Sequence, residues 1–421
     1  MLLLPGHGSG CRFITLSSRI SMPDYTPKAL IPDCKLFSGY KPCLPYKTCE
    51  GCPDPQPFGK KILIINLDNI GAVLMNTAQL PMIKKQWPES TIFWLTQRAS
   101  KPVLQNNPYL DAIYEWNDET RLILRQMHFD IVLNGDKNRN SSAFTNELSA
   151  EIKRGFGLNH NGAVIPLNAG AEYNFHLGTH DYEKFRINKR TGQDILAETW
   201  EIPCERSPYV LELSEEEKQQ TEEWRSKLGL EGARFVVGLN VGCSSLYPLK
   251  RLKASQQAAI VEGIATLCEG VKIILLGGGS EDAERAEQIA GLSGGKAIVT
   301  PMNLGLRTGI VLENLADVVI SGDSLGMHIA IALRKYVIAW FGLSCAAEID
   351  LYDNGVKLVR DLPCAPCWKK SCELPQGPIC VNEFDINAIV EAVVRYYRRQ
   401  DARRAAQGEV QNHEESGEVL V

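Results

Sequence analysis

No stretch of the 421 residues carries the roughly 18 to 20 consecutive apolar side chains that a membrane-spanning helix requires, so any contact with a membrane is expected to be peripheral. Positive charge is not in surplus either. The 45 Lys and Arg against 50 Asp and Glu leave a net charge of -5, which argues against a nucleic-acid-binding surface. The opening MLLLPGHGSGC has an apolar run too short for a secretory signal and no basic residue ahead of it, so a cytoplasmic protein is expected, with Met22 a second candidate start. A zinc-protease helix is missing as well: His176 and His180 stand four apart, but Leu177 occupies the glutamate position of HExxH. What is present, 44% hydrophobic and 23% charged residues, is the composition of a soluble globular chain. Its length exceeds what one core usually holds, so two domains with extensions are expected.

Thirteen cysteines in a chain read as cytosolic point to metal or redox chemistry or to buried thiols before they point to disulfides. Cys34, Cys43, Cys49 and Cys52 form one group, ending in C-x2-C, inside a Pro- and Gly-rich segment over 31–59. Cys364, Cys367, Cys372 and Cys380 form a second, opening with C-x2-C. Four thiols suffice for a structural tetrahedral zinc or an iron–sulfur cluster, and the short loops within each group favour two separate sites. The first segment has too little apolar periodicity to fold without such a staple.

From residue 60 the pattern alternates. Apolar strands at 62–65, 91–96, 112–115 and 130–133 are separated by helices at 72–85, 101–106 and 122–126, which implies a parallel sheet. Residues 151–200 look less regular, and their Lys153, Arg154, Lys184, Arg186, Lys189 and Arg190 would suit an anionic acceptor if gathered near a cleft. Ser214, followed by acids, starts a helix that Gly229 stops, and the interdomain linker belongs there. A second series follows: strands 235–240 and 272–276, helices 255–268, 281–292 and 308–315, and a last helix at 386–398. The boundaries are therefore a disordered extension over 1–30, the cysteine segment 31–59, domains at 60–225 and 233–398, and a disordered tail over 399–421.

The polar residues of interest cluster at strand ends. Over 316–342 the chain reads strand, turn, helix, strand, with its one polar cluster at the turn; Asp323 and Ser324 are good N-caps and Gly326 permits close approach of a ligand. In open α/β sheets ligands gather beyond the carboxyl ends of strands, where helix N-termini favour anions. Lys250 and Arg251 follow a Gly/Ser loop that includes Ser244 and could reach a diphosphate; Glu281, after three glycines, could accept from a ribose hydroxyl. In the loop over 66–71, Asp68 is either a helix cap or a proton acceptor, and Asn69 stands beside it where an acceptor would bind.

The segments KILIINLDNIGAVLMNTAQLP, QNNPYLDAIYEW, GLNVGCSS with LKR, IILLGGGSED, ISGDSLGMHIAIAL, VIAWFG and the C-x2-C-x4-C-x7-C run occur in one order from about residue 60 to 395. This combination resembles the ADP-heptose:lipopolysaccharide heptosyltransferases and their relatives. The resemblance implies an α/β GT-B fold, two Rossmann-like doubly wound domains facing across a cleft, with acceptor in the first and nucleotide-sugar in the second. It implies an inverting transfer that needs no metal or other cofactor. Lys250 and the turn Asp323, Ser324, Leu325, Gly326, Met327 and His328 are the positions it assigns to the donor diphosphate. The sequence departs from the family at Ala72, where an aspartate is thought to serve as general base, and at Leu252, where a tryptophan commonly follows Lys-Arg.

Three functions follow as expectations. The first is transfer of a heptose or related sugar from a nucleotide-diphosphate donor to a lipopolysaccharide-type or other glycan, at or near the inner membrane, with Asp68 as base. The second is sugar-nucleotide or saccharide binding without turnover, suggested by Ala72. The third is metal or redox sensing through the cysteines on the same scaffold.

Overall fold

The structure, a computed structural model, describes residues 29–415, with side chains up to residue 404. The extension expected over 1–30 lies almost wholly outside the described residues, as does Met22. The described chain falls into two compact units that divide between Phe58 and Gly59. In the first, turns replace helices and strands: the amide of Phe37 donates to Cys34 O, that of Cys52 to Cys49 O, and that of Lys35 to Gln56 O. Leu30, Ile31, Leu36, Tyr40, Leu44 and Tyr46 are all exposed, so this unit has little apolar core of its own.

The second unit contains two six-stranded sheets. The first is formed by β1 (Lys60–Ile65), β2 (Ser90–Thr96), β3 (Ala112–Glu115), β4 (His128–Asn134), β5 (Ser149–Leu158) and β6 (Val164–Pro166), in the order β3-β2-β1-β4-β5-β6. The second is formed by β7 (Phe235–Asn240), β8 (Val271–Leu276), β9 (Ile298–Val299), β10 (Val318–Gly322), β11 (Tyr336–Phe341) and β12 (Gly355–Val359), in the order β12-β11-β10-β7-β8-β9. Only the β5–β6 pairing is antiparallel. Burial on both faces explains the runs ILII, TIFWL and VVI, since crossover helices cover a parallel sheet on each side. Both sheets repeat one doubly wound order, whose ligand crevice opens where the order reverses, between β1 and β4 and between β7 and β10.

Four expectations change in detail. The helix expected over 72–85 is broken into Ile70–Asn76, a 3-10 turn at Thr77–Gln79 and Leu80–Gln86, because Pro81 is accommodated only in the first turn of a new helix. The stretch read as irregular from 151 contains β5, whose half-exposed edge carries charges that hid its alternation. The helix expected to end at Arg398 continues to Glu415, so the tail expected to be disordered from 399 is helical that far; Ala402, Arg403, Arg404, Ala405 and Ala406 all favour it. The linker helix forms at Glu215–Lys227, with Ser214 and Glu217 closing a capping box, but one apolar cluster runs through both sheets, from Ile62, Leu74 and Trp94 to Met327, Ala339 and Phe341. Among the described residues no helix is long and apolar enough to cross a membrane.

Candidate active site

The first crevice is built on Asn66, fully buried at the end of β1. Its Nδ2 donates to Asp136 Oδ1 at 2.6 Å, and its Oδ1 accepts from Asn76 Nδ2 at 2.9 Å. The Leu67 amide donates to the other oxygen of Asp136. Asp136 is 1% exposed and hydrogen-bonded to Asp68; burial first, and then the charge of Asp68, hold its carboxyl well above the usual range, against the amide of Leu67 and the side chain of Asn66. Two neighbouring carboxyls share a proton more readily than they carry two charges. The helix after this turn is capped by Asn69, whose Oδ1 accepts from the Ala72 amide at 3.0 Å. Asp68 is thus not the cap. It is exposed and lies near Lys137, while Asn69, expected at the acceptor, has its oxygen committed to the helix. Burial, then repulsion from Lys184, lowers the Lys137 ammonium to about 8, while Glu348 and Asp68 oppose this.

The second crevice is built on Asn240 at the end of β7. Its Nδ2 donates to Ser324 Oγ at 2.6 Å and to Ser321 Oγ at 3.0 Å, which fixes the turn after β10. Ser324 occupies the N-cap position of the helix Leu325–Ala332 in an extended conformation, but its side chain makes no cap bond because it is held by Asn240. Asp323 does not cap either: Lys250 Nζ lies 2.6 Å from its Oδ2, and the two side chains are 12% and 11% exposed. Gly322 allows this pairing, since a Cβ there would meet Lys250 O at 2.3 Å. Trp368 covers the ammonium with its ring at 4.0 Å, and Lys184 reaches the same ring at 5.4 Å. This ring comes from the second cysteine loop, where the amides of Cys367 and Trp368 both donate to Leu343 O, while Leu252 is buried in the core of the second sheet.

The two crevices meet. A Cβ on Gly71 would stand 2.6 Å from His328 Cδ2, so only glycine lets the helices Ile70–Asn76 and Leu325–Ala332 approach this closely. His328 is 8% exposed, with Tyr209 Oη 3.4 Å from its Nδ1; burial, and secondarily Lys250, lower its pKa to about 4 against the pull of Asp323. Met327 is fully buried in the apolar cluster.

Beyond the ends of β7, β8 and β10 lies a cavity of about 200 Å³, bounded by Ser244, Asp282, Glu313, Ser324, Leu325 and Gly326. Glu281, expected at the ribose, is turned away to Arg251 at 2.6 Å, which also occupies Arg251; from this turn it is the next residue, Asp282, that lines the cavity. A second cavity of about 360 Å³ carries Lys184, Arg186, Lys189 and Arg360, so part of the basic stretch does converge. His176 and His180 stack on each other at 3.8 Å.

Each cysteine group lines a cavity of its own: Cys34, Cys43, Cys49 and Cys52 one of about 310 Å³, and Cys364, Cys367, Cys372 and Cys380 one of about 290 Å³. All eight are free thiols, and among the described residues no three His, Cys, Asp or Glu side chains stand at ion-holding spacing. Asp136, Lys137, Asp282, Glu313 and Trp368 were missed by sequence reasoning. Asp136 and Lys137 could have been found from their place after the β4 run; the others follow no pattern in the chain.

Two doubly wound sheets whose crevices meet, one presenting a carboxylate and the other a lysine beside a helix N-terminus, define a GT-B glycosyltransferase. A model of glycosyltransferase family 9 (heptosyltransferase) matches residues 120–377, more than half of the chain, and the protein belongs to this family. The glycosyltransferase family 9 protein of Veillonella parvula is similar in structure, with 22% identity over 72% of this chain and 86% of its own and a TM-score of 0.57. ADP-heptose lps heptosyltransferase II of E. coli aligns at 15% identity over 81% and 99%, TM-score 0.59. E. coli heptosyltransferase WaaC with ADP-2-deoxy-2-fluoro heptose aligns at 14% over 80% and 99%, TM-score 0.50. At these identities the likeness is one of fold. No curated protein matches the chain significantly.

Proposed function

We propose that this glycosyltransferase moves a heptose or related sugar, with inversion, from a nucleotide-diphosphate donor to a lipopolysaccharide-type or other glycan. The observation that supports this reading is the close approach of Gly71, three residues after Asp68, to His328 on the helix that follows the Lys250–Asp323 turn. Asp68 removes the proton from the acceptor hydroxyl, and the oxygen attacks the anomeric carbon. The carbon–oxygen bond to the diphosphate breaks, and its electron pair leaves on the phosphate oxygen. Lys250 and the helix N-terminus at 324–326 stabilise that charge as it develops. The basic cavity at Lys184, Arg186, Lys189 and Arg360 suits an anionic saccharide. A donor like that of the two E. coli proteins, whose names specify ADP-heptose or its fluoro analogue, agrees with this site. Such a reaction would take place in the cytoplasm against the inner face of the membrane. Release of nucleoside diphosphate from ADP-, UDP- and GDP-sugars, with an anionic lipopolysaccharide core as acceptor, tests it. Nucleotide binding without any release would instead support the non-catalytic reading that Ala72 suggests.

We also infer that each cysteine group takes one structural zinc or iron–sulfur centre, on the observation that each set of four thiols lines a single cavity. Binding would have to draw the sulfurs together. Elemental analysis giving two centres per chain supports this, and a metal-free protein with unchanged stability overturns it.

A further inference from the structure

One buried carboxyl has no part in the transfer chemistry. Glu313 ends the helix Leu306–Glu313, is 4% exposed and lines the 200 Å³ cavity. Its Oε1 has no hydrogen-bond partner. The Ala330 amide serves the other oxygen, and the nearby Lys335 donates its own bond to Asn314 O at 2.7 Å. Leaving a buried polar atom unsatisfied costs about 1–3 kcal/mol, so such an atom in a residue that lines a cavity points to a ligand that completes it. Burial holds the carboxyl well above the usual range, against Lys335 and the Ala330 amide, which leaves it an O–H to donate.

The cavity says what kind of ligand. Its walls include Leu276, Leu306, Leu312 and Ile329, while Gly278 and Gly309 leave open space where side chains would stand. A flat heterocycle fits such a slot, whereas a sugar would set its hydroxyls against leucines. The same cavity reaches Ser324 and Gly326, where the diphosphate belongs.

We propose that Glu313 selects the nucleobase of the donor, its Oε1 hydroxyl donating to an unprotonated ring nitrogen of an adenine-type base whose amino group lies alongside. This rests on the donor-site reading above. Adenine presents an acceptor beside a donor, which a neutral carboxyl matches. Guanine reverses the pair at these positions, a carbonyl in place of the amino group and a ring N–H in place of the unprotonated nitrogen, so that N–H faces the Glu313 O–H without a partner.

Calorimetric titration of the full-length protein with ADP, GDP and inorganic pyrophosphate tests the assignment in wild type, Glu313→Gln and Glu313→Leu. The wild type should prefer ADP over GDP by about tenfold or more, the worth of one satisfied hydrogen bond. Glu313→Gln, whose amide also offers a donor and an acceptor, should keep the preference. Glu313→Leu should reduce it to about threefold or less by losing ADP affinity, with pyrophosphate binding unchanged. An unaltered ADP-to-GDP ratio in Glu313→Leu overturns the proposal, as does loss of the ratio in the isosteric Glu313→Gln, which decides the matter if the leucine variant does not fold. Nucleotides that bind the wild type without preference remove Glu313 alone; a wild type that binds none of them removes the donor site itself.

Discussion

Asn66 and Asn240 occupy the same place in the two halves, at the carboxyl end of the first strand of a sheet with the same order, and each ties its strand to the turn after the fourth. Their partners differ. Asn66 holds an aspartate that is itself bonded to Asp68, while Asn240 holds two hydroxyls at the start of a helix. One latch therefore sets two carboxyls side by side, and the other sets two hydroxyls at a helix N-terminus, whose dipole favours the opposite sign of ligand charge. The same backbone solution performs opposite electrostatic tasks, and the choice lies in one or two side chains on the neighbouring turn.

The largest effect should come from the acidic half. Asp68→Asn keeps shape but not basicity, so turnover should fall by roughly 10²- to 10⁴-fold with nucleotide affinity unchanged; full activity in a release assay would reject Asp68 as base. On the other side, Lys250→Ala should weaken donor binding by about 1.5–3 kcal/mol, the worth of a charge-assisted hydrogen bond. Calorimetry showing unchanged affinity would take Lys250 out of the site and end the contrast between the latches. The contact joining the halves is tested by Gly71→Ala, whose methyl group must displace the His328 ring and should cost about 1–3 kcal/mol in chemical denaturation. An alanine there with no cost would mean that the halves do not pack as closely as described.

The last effect is a slope. His328 titrates near 4 in the folded chain against an ordinary 6.5, so between those values the unfolded chain binds the extra proton. The stability involved is fully present above pH 6.5 and is lost progressively as pH falls towards 4. Denaturation midpoints across that window should drop more steeply in the wild type than in His328→Gln, and parallel curves would remove His328 from the account.

Strands buried on both faces were legible because their β-branched runs admit few other readings, and the turn at 323–328 was legible because polar residues interrupt apolar ones there. The β5 edge was hidden because half-exposed positions tolerate Glu151, Lys153 and Arg154. Asp68 and Asn69 could not be told apart from sequence, since either could cap; the structure separates them by one hydrogen bond. Glu281 and Asp282 differ by about a third of a helical turn, enough to exchange a salt bridge for a place at the cavity. Trp368 reaches Lys250 over more than a hundred residues of chain, and no local pattern records such a meeting.

The apolar cluster that passes from Ile62 and Leu74 to Met327 and Phe341 sets a rule for anyone recombining this enzyme with its relatives. A cut within 225–233 separates two sheets on paper but splits one core. A chimera that imports a foreign donor half must bring the facing side of the helix Ile70–Asn76 with it, glycine included, or the graft will inherit a seam that neither parent evolved to close.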